Sequence, residues 1–147
     1  MPPEYPTRPR ELRARAEGTS YRVQLTAGPH TLVTDEPVPE GGSDAGPTPV
    51  ETFLGGLLGC LMTAFQFHAR RLKVPIERIE GWIAADEPGQ ITAVSVELEV
   101  WSAAPEEDVQ ALLPRAKRGC YVSNVLRPDL AYSVELVVDP PEAAATK

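Results

Sequence analysis

The stretch TPVETFLGGLLGCLMTAF, residues 48–65, decides how this chain of 147 residues is organised. It opens with a helix start. Thr48 is an N-cap, Pro49 takes the first helical position, and Glu51 stands three residues after the cap, completing a capping box. The apolar run behind it predicts a helix that continues to about Lys73, where Val74-Pro75 ends it. Its first four turns are apolar nearly all round and are expected to be buried. His68, Arg70, Arg71 and Lys73 put cations in its last turns, where they suit the helix dipole.

Cys60, in the middle of that run, has two readings. Free cysteine is among the most buried residue types, so it can be a small core hydrophobe. It can also be a reactive thiol. Gly55, Gly56 and Gly59 surround it, and each costs about 1 kcal/mol in a helix interior relative to alanine. Such a cost implies a close approach by another backbone or by a ligand. The chain has one further cysteine, Cys120 in RGCYVSN. It follows Gly119 and is expected to open a short helix, where unpaired N–H groups would favour a thiolate. Cys60 lies too deep in its helix for the dipole to help, and His68, eight residues on, is too far to pair with it. An activating cation has to come from elsewhere in the fold or from a partner subunit.

Outward from this helix the pattern is mixed. Before it, ELRARAEG alternates with period two, EGTS turns the chain, SYRVQLTAG alternates with Tyr21, Val23 and Leu25 on one face, and HTLVTD follows the turn at GPH. These read as an antiparallel meander of three strands. EPVPEGGSDAGPTP, residues 36–49, is a long loop. After the helix, RIEGWIAADE and ITAVSVELEVW form a hairpin across Pro88-Gly89. APEEDVQALLPRAKRG is a second helix with Gly119 as its stop, and Pro114 predicts a kink or early break in it. CYVSNVLRP is a short element, and AYSVELVV is the last strand. The order is βββ-α-ββ-α-(α)-β, an α+β arrangement. Residues 1–9, with four prolines, and the tail DPPEAAATK, residues 139–147, are expected to be poorly ordered.

The apolar fraction of 42% and charged fraction of 24% are those of a globular domain, and the length fits one. A net charge of −7 without an uninterrupted basic cluster argues against nucleic acid and anionic membranes as partners. The start, MPPEYPTRPREL, reads without the apolar core of a signal peptide, and Phe53 to Phe65 is too short to span a bilayer. A cytoplasmic setting is expected, in which two cysteines mean free thiols or transient redox chemistry rather than a structural disulfide. His30 and His68 with the two cysteines have no close ligand spacing, so neither a metal nor a cofactor is expected. There is no nucleophile elbow and no phosphate loop; Gly41-Gly42 reads as plain loop chemistry, and Trp82 and Trp101 as core or interface.

With its elements in this order, the chain resembles the OsmC-like family, which includes OsmC and the organic hydroperoxide resistance proteins. GGSDAGPTPVETFLGGLLGC matches the family's G-x-x-P-x-E-L-L-L-x-x-L-x-x-C pattern. RGCYVSNVL matches C-P-V-S-N-x-L, with Tyr121 where proline is usual. The resemblance covers residues 10–138 as a single domain. It implies an intertwined homodimer, with sheets wrapped around central helices and sites at the subunit interface. It implies a cysteine-dependent peroxidase that reduces organic hydroperoxides in oxidative stress defence. Cys60 would be the attacking thiolate and Cys120 the resolving thiol that closes the sulfenic acid to a disulfide. A dithiol such as a dihydrolipoyl group would reduce that disulfide. The alternatives are a non-catalytic protein holding a small apolar ligand at the dimer interface, and a dimeric scaffold with both thiols in the core. The hydroperoxide resistance branch has a glutamate directly after the helix-opening proline; here that place is Val50, and the carboxylate is Glu51. One residue turns a helical side chain by about 100°, which leaves Glu51 a supporting site residue by resemblance and a capping-box residue by position. That branch also has an arginine in the first β-turn, where this chain reads EGTS. Arg22 is the best substitute and Arg15 the next. These departures place the chain in the broader OsmC-like group.

Overall fold

The computed structural model describes residues 10–86 and 90–142. The elements follow the expected order: β1 (Arg13–Arg15), β2 (Val23–Ala27), β3 (His30–Thr34), α1 (Pro49–Arg71), β4 (Arg78–Ala85), β5 (Ala93–Trp101), α2 (Glu106–Gln110), α3 (Leu112–Gly119) and β6 (Ala131–Asp139). They fall into two compact units, one ending at Phe53 and the other running from Leu54 onward. The hairpin turn at Pro88-Gly89 and the expected N-terminal tail lie outside the described residues. At the other end, Asp139 still belongs to β6, where its carbonyl accepts a bond from the Ser102 N–H at 2.9 Å.

In the first unit β1, β2 and β3 pair antiparallel in sequence order, as their period-two pattern requires. All three residues of β1 are exposed, so its alternation buries neither face within this unit. Tyr21 lies outside β2 and is exposed. The loop after β3 is held by Asp35, a residue whose part the sequence does not reveal. Its buried carboxylate accepts the Ser43 hydroxyl at 2.6 Å and the backbone N–H groups of Glu36, Ser43 and Ala45 at 2.8, 3.2 and 3.1 Å. These bonds hold its pKa down at about 2, the Ser43 hydroxyl contributing most, even though burial pushes the other way. The tightness of this loop explains Gly42: a Cβ there would stand 1.9 Å from the Glu36 carbonyl oxygen. The loop leads into α1 through the capping box, with the Thr48 N–H on the Glu51 carboxylate at 3.1 Å and the Glu51 N–H on the Thr48 hydroxyl at 3.2 Å.

In the second unit β5 is central. It pairs antiparallel with β4 and parallel with β6, and the parallel partner is reached by a crossover through α2 and α3. β5 alternates strictly, and Val94, Val96, Leu98 and Val100 are buried. The buried residues of α1 join this stripe in one core together with Val109, Leu112, Ala116 and Cys120. Gly81 on β4 permits the close contact: a Cβ there would stand 2.9 Å from both Leu58 Cδ1 and Met62 Sδ on α1. On the outward face Trp82 is exposed, which excludes the core of this chain and leaves the interface half of its reading, and the Arg78 guanidinium stacks 3.9 Å from the Trp101 ring centre.

The early break that Pro114 predicts falls at Ala111, where the helix before Cys120 divides into α2 and α3. Proline has no N–H to offer Gln110, and a break at Ala111 places Pro114 in the first turn of α3, where none is needed. One expectation is corrected: α1 is not buried all round within this chain. Leu54, Leu57, Leu61, Ala64, Phe65 and Ala69 face the core, but Gly55, Gly56 and Gly59 are exposed, and a Cβ at any of them would meet open space. A sheet on one side covers one helical stripe; it cannot enclose the rest. At 23 residues α1 is also longer than the apolar run alone, and by length and composition it would suffice to cross a bilayer, a test that a core helix passes equally.

Replacing the fully buried Leu61 by alanine is expected to cost about 2–5 kcal/mol, read from the urea midpoint at constant slope. The Asp35 carboxylate stabilises fully above the ordinary value of 3.8, and this contribution is lost as pH falls through about 2. The Ser43 and Ala45 amides should therefore lose hydrogen-exchange protection across that window, and Asp35→Asn should remove the pH dependence.

Candidate active site

Cys60 and Cys120 arrive at the same place by different routes. Cys60 projects from the middle of α1, half-buried, and packs against the core. Cys120 is the first residue beyond α3, with extended backbone at φ −80° and ψ 106°, and is fully buried. It closes α3 and at the same time opens the turn that follows. The carbonyl of Cys120 accepts the Ser123 hydroxyl at 3.1 Å and the Asn124 N–H at 3.3 Å, which fixes the chain after it. Both thiols are free, and the Cys60 side chain is a hydrogen-bond neighbour of the Cys120 thiol.

Burial sets the character of Cys120. It pushes the thiol pKa up, and the bonds from Ser123 that favour the thiolate do not overcome it. The neighbouring Cys60 sulfur raises it further. This reverses the expectation of a thiolate favoured by free N–H groups, because desolvation of a fully buried sulfur outweighs two hydrogen bonds. The pair is thus asymmetric, with a half-accessible sulfur on α1 and a protonated, enclosed one behind it.

Two neighbours complete the surroundings. The His68 imidazole meets the Phe67 ring edge-on at 5.2 Å, and its Nε2 stands 3.4 Å from where a Gly119 Cβ would be. The end of α3 thus lies close to α1 just before Cys120. The His68 pKa is lowered, first by burial and then by Arg115, Arg71 and Arg118. The other neighbour is Tyr132. It occupies the inward stripe of β6 with Val134, Leu136 and Val138, opposite Val94 on β5. Its buried hydroxyl has no hydrogen-bond partner among the described residues. Burial, then Cys120, then Cys60 push its pKa up to about 12. Sequence reasoning missed this residue. The available signal was a phenol among the aliphatic inward positions of AYSVELVV.

The supporting residues inferred from the resemblance, Arg22 and Glu51, belong to the first unit. Glu51 is engaged with Thr48, whose backbone N–H and then hydroxyl lower its pKa. Arg22 precedes β2, is exposed, and lines a polar depression with Arg15, Glu17, Ser20 and Gln24. Arg15 is paired with Glu17 at 2.7 Å. Among the described residues no three His, Cys, Asp or Glu side chains are grouped to hold a metal, and His30 and His68 lie on different elements.

The profile of the OsmC-like protein family matches residues 41–135, and the chain belongs to that family. The same α+β fold is found in solved structures. An OsmC-like protein from Mycoplasma pneumoniae superposes with a TM-score of 0.76 at 13% identity, over 91% of this chain and 98% of that one. The organic hydroperoxide resistance protein OsmC of Legionella pneumophila gives 0.63 at 22% identity, over 90% and 97%. The organic hydroperoxide resistance protein OhrB of Bacillus subtilis gives 0.61 at 21% identity, over 89% and 98%. No curated protein matches the sequence.

The asymmetry of the pair is open to direct measurement. With iodoacetamide at mildly alkaline pH, Cys60 should be alkylated in the native protein while Cys120 is spared until the chain is unfolded. Equal modification in peptide maps would contradict the burial of Cys120.

Proposed function

We propose that this protein is a thiol-dependent reductase of organic hydroperoxides, a single OsmC-like domain over residues 10–138 that acts in oxidative stress defence in the cytoplasm. The observation that carries this reading is the meeting of a half-accessible Cys60 with a buried, protonated Cys120 in apolar surroundings. Cys60, as thiolate, attacks the terminal peroxide oxygen. The S–O bond forms, the O–O bond breaks, and the alcohol leaves with the proton that Cys60 gave up. The Cys60 sulfenic acid is then attacked by Cys120, releasing water and leaving a Cys60–Cys120 disulfide. A dithiol of the dihydrolipoyl class returns both cysteines to thiols and is itself oxidised to a disulfide. The apolar walls favour an alkyl hydroperoxide over hydrogen peroxide.

The reading includes a homodimer. The exposed glycines of α1 let a second backbone approach, and their helical cost is explained once a partner subunit covers them. The family relationship supports this assembly. Arg22 is proposed as a supporting cation on the strength of the resemblance. Glu51 remains with Thr48.

The test is intact mass and peptide mapping after one equivalent of cumene hydroperoxide, with hydrogen peroxide in parallel. A fast Cys60–Cys120 disulfide, formed sooner with the organic peroxide, is the expected result. Cys60→Ser should abolish turnover, and Cys120→Ser should leave a Cys60 sulfenic acid that dimedone traps. Two unmodified thiols would sink the proposal and leave the binding of an apolar ligand as the better account.

A further inference from the structure

A buried hydroxyl without a partner is unusual. More than nine in ten buried polar groups find one, and each that does not calls for an explanation. Tyr132 is such a case, and it sits at the thiol pair rather than at random in the core. β6 runs parallel to the central strand, and its inward side chains face the layer that contains α1 and α3. Both cysteines pack into that layer, and both lie within electrostatic range of the Tyr132 oxygen. The hydroxyl bonds to neither sulfur, so it stands off from them. Leucine or phenylalanine at 132 would fill the stripe equally well without stranding a polar atom.

We propose that the Tyr132 hydroxyl is a catalytic hydrogen-bond donor, engaging the alcohol oxygen that departs as Cys60 takes the terminal oxygen of the hydroperoxide. The inference rests on the reductase reading above. Displacement at the peroxide is in line: attacking sulfur, transferred oxygen and leaving oxygen stand in a row. Negative charge therefore develops two partial bonds away from Cys60. A donor set back from the sulfur meets that charge, and one in contact with the sulfur would not. An oriented donor in a site with little water is worth far more to a developing oxyanion than the same group in solution. Burial keeps the phenol protonated across the physiological range, so it acts as a donor and not as an anion. Tyr132 transfers no proton; the alcohol is completed by the one that Cys60 released. This assigns a role to an inward residue of β6 in a chain that has Val50 where the hydroperoxide resistance branch has its glutamate.

Tyr132→Phe removes only the orphan oxygen. The unfolding midpoint should hold or rise, because an unsatisfied buried group is lost. Stopped-flow oxidation of Cys60 by cumene hydroperoxide should slow by about 10- to 100-fold. Alkylation of Cys60 by iodoacetamide, which expels no oxygen, should keep its rate. An unchanged peroxide rate in an active protein would overturn the role of Tyr132 and leave the reductase reading intact. Equal slowing of both reactions would also overturn it, by showing an effect on the sulfur or the fold. A wild-type protein inert to peroxides would remove both the reading and the inference. If the phenylalanine variant does not fold, a difluorotyrosine incorporated at position 132 provides the same test. Its more acidic phenol should bring the alkaline loss of peroxide reduction to lower pH, and an unmoved profile would refute the proposal.

Discussion

Packing of one face of α1 onto the inward stripe of β5 is the constraint from which the rest follows. Leu57, Leu61 and Phe65 are fully buried there, and each contributes about 1.5–3 kcal/mol relative to exposure. With that face fixed, the helical period determines where every other side chain of α1 stands. Cys60 falls at the margin of the buried stripe, half-covered. The glycines fall on the open side. α3 packs against the same core through Leu112 and Ala116, so Cys120, one residue beyond its end, is carried into the interior beside Cys60. The thiol pair is thus a product of two helices sharing one sheet.

The same packing creates the chemical difference between the thiols. They are chemically identical side chains, yet one is fully enclosed and the other is not. Enclosure raises the pKa of Cys120 and holds it as a thiol. The proposed chemistry needs such a division, since one sulfur would have to meet the substrate while the other waits. Tyr132 adds a buried hydroxyl without a partner among the described residues to the same surroundings.

Much of the architecture was legible because it is written locally. The capping box at Thr48 and Glu51 needs only four consecutive residues, and it forms as read. The alternation of ITAVSVELEVW specifies β5, and the turn signals place the meander. Harder to read were features that depend on what lies opposite. The break at Ala111 follows from where Pro114 can sit once α3 docks. The open face of α1 is another such feature, because hydropathy does not say whether this chain or another covers a given side. Asp35 looked like the end of a strand, and only the return of Ser43 and Ala45 reveals its carboxylate as the anchor of the loop.

The sequence by itself determined the order of elements, the helix that bears Cys60 and the second cysteine after Gly119. Those depend on backbone preferences and on the spacing of apolar side chains, which act over a few residues. Tertiary structure alone decided that the two sulfurs meet, that Cys120 is the enclosed one, and that a tyrosine twelve residues further along the chain, on β6, shares their space. Desolvation and hydrogen bonding act between neighbours in space, and those neighbours are chosen only when the sheet, the crossover and the helices close on one core.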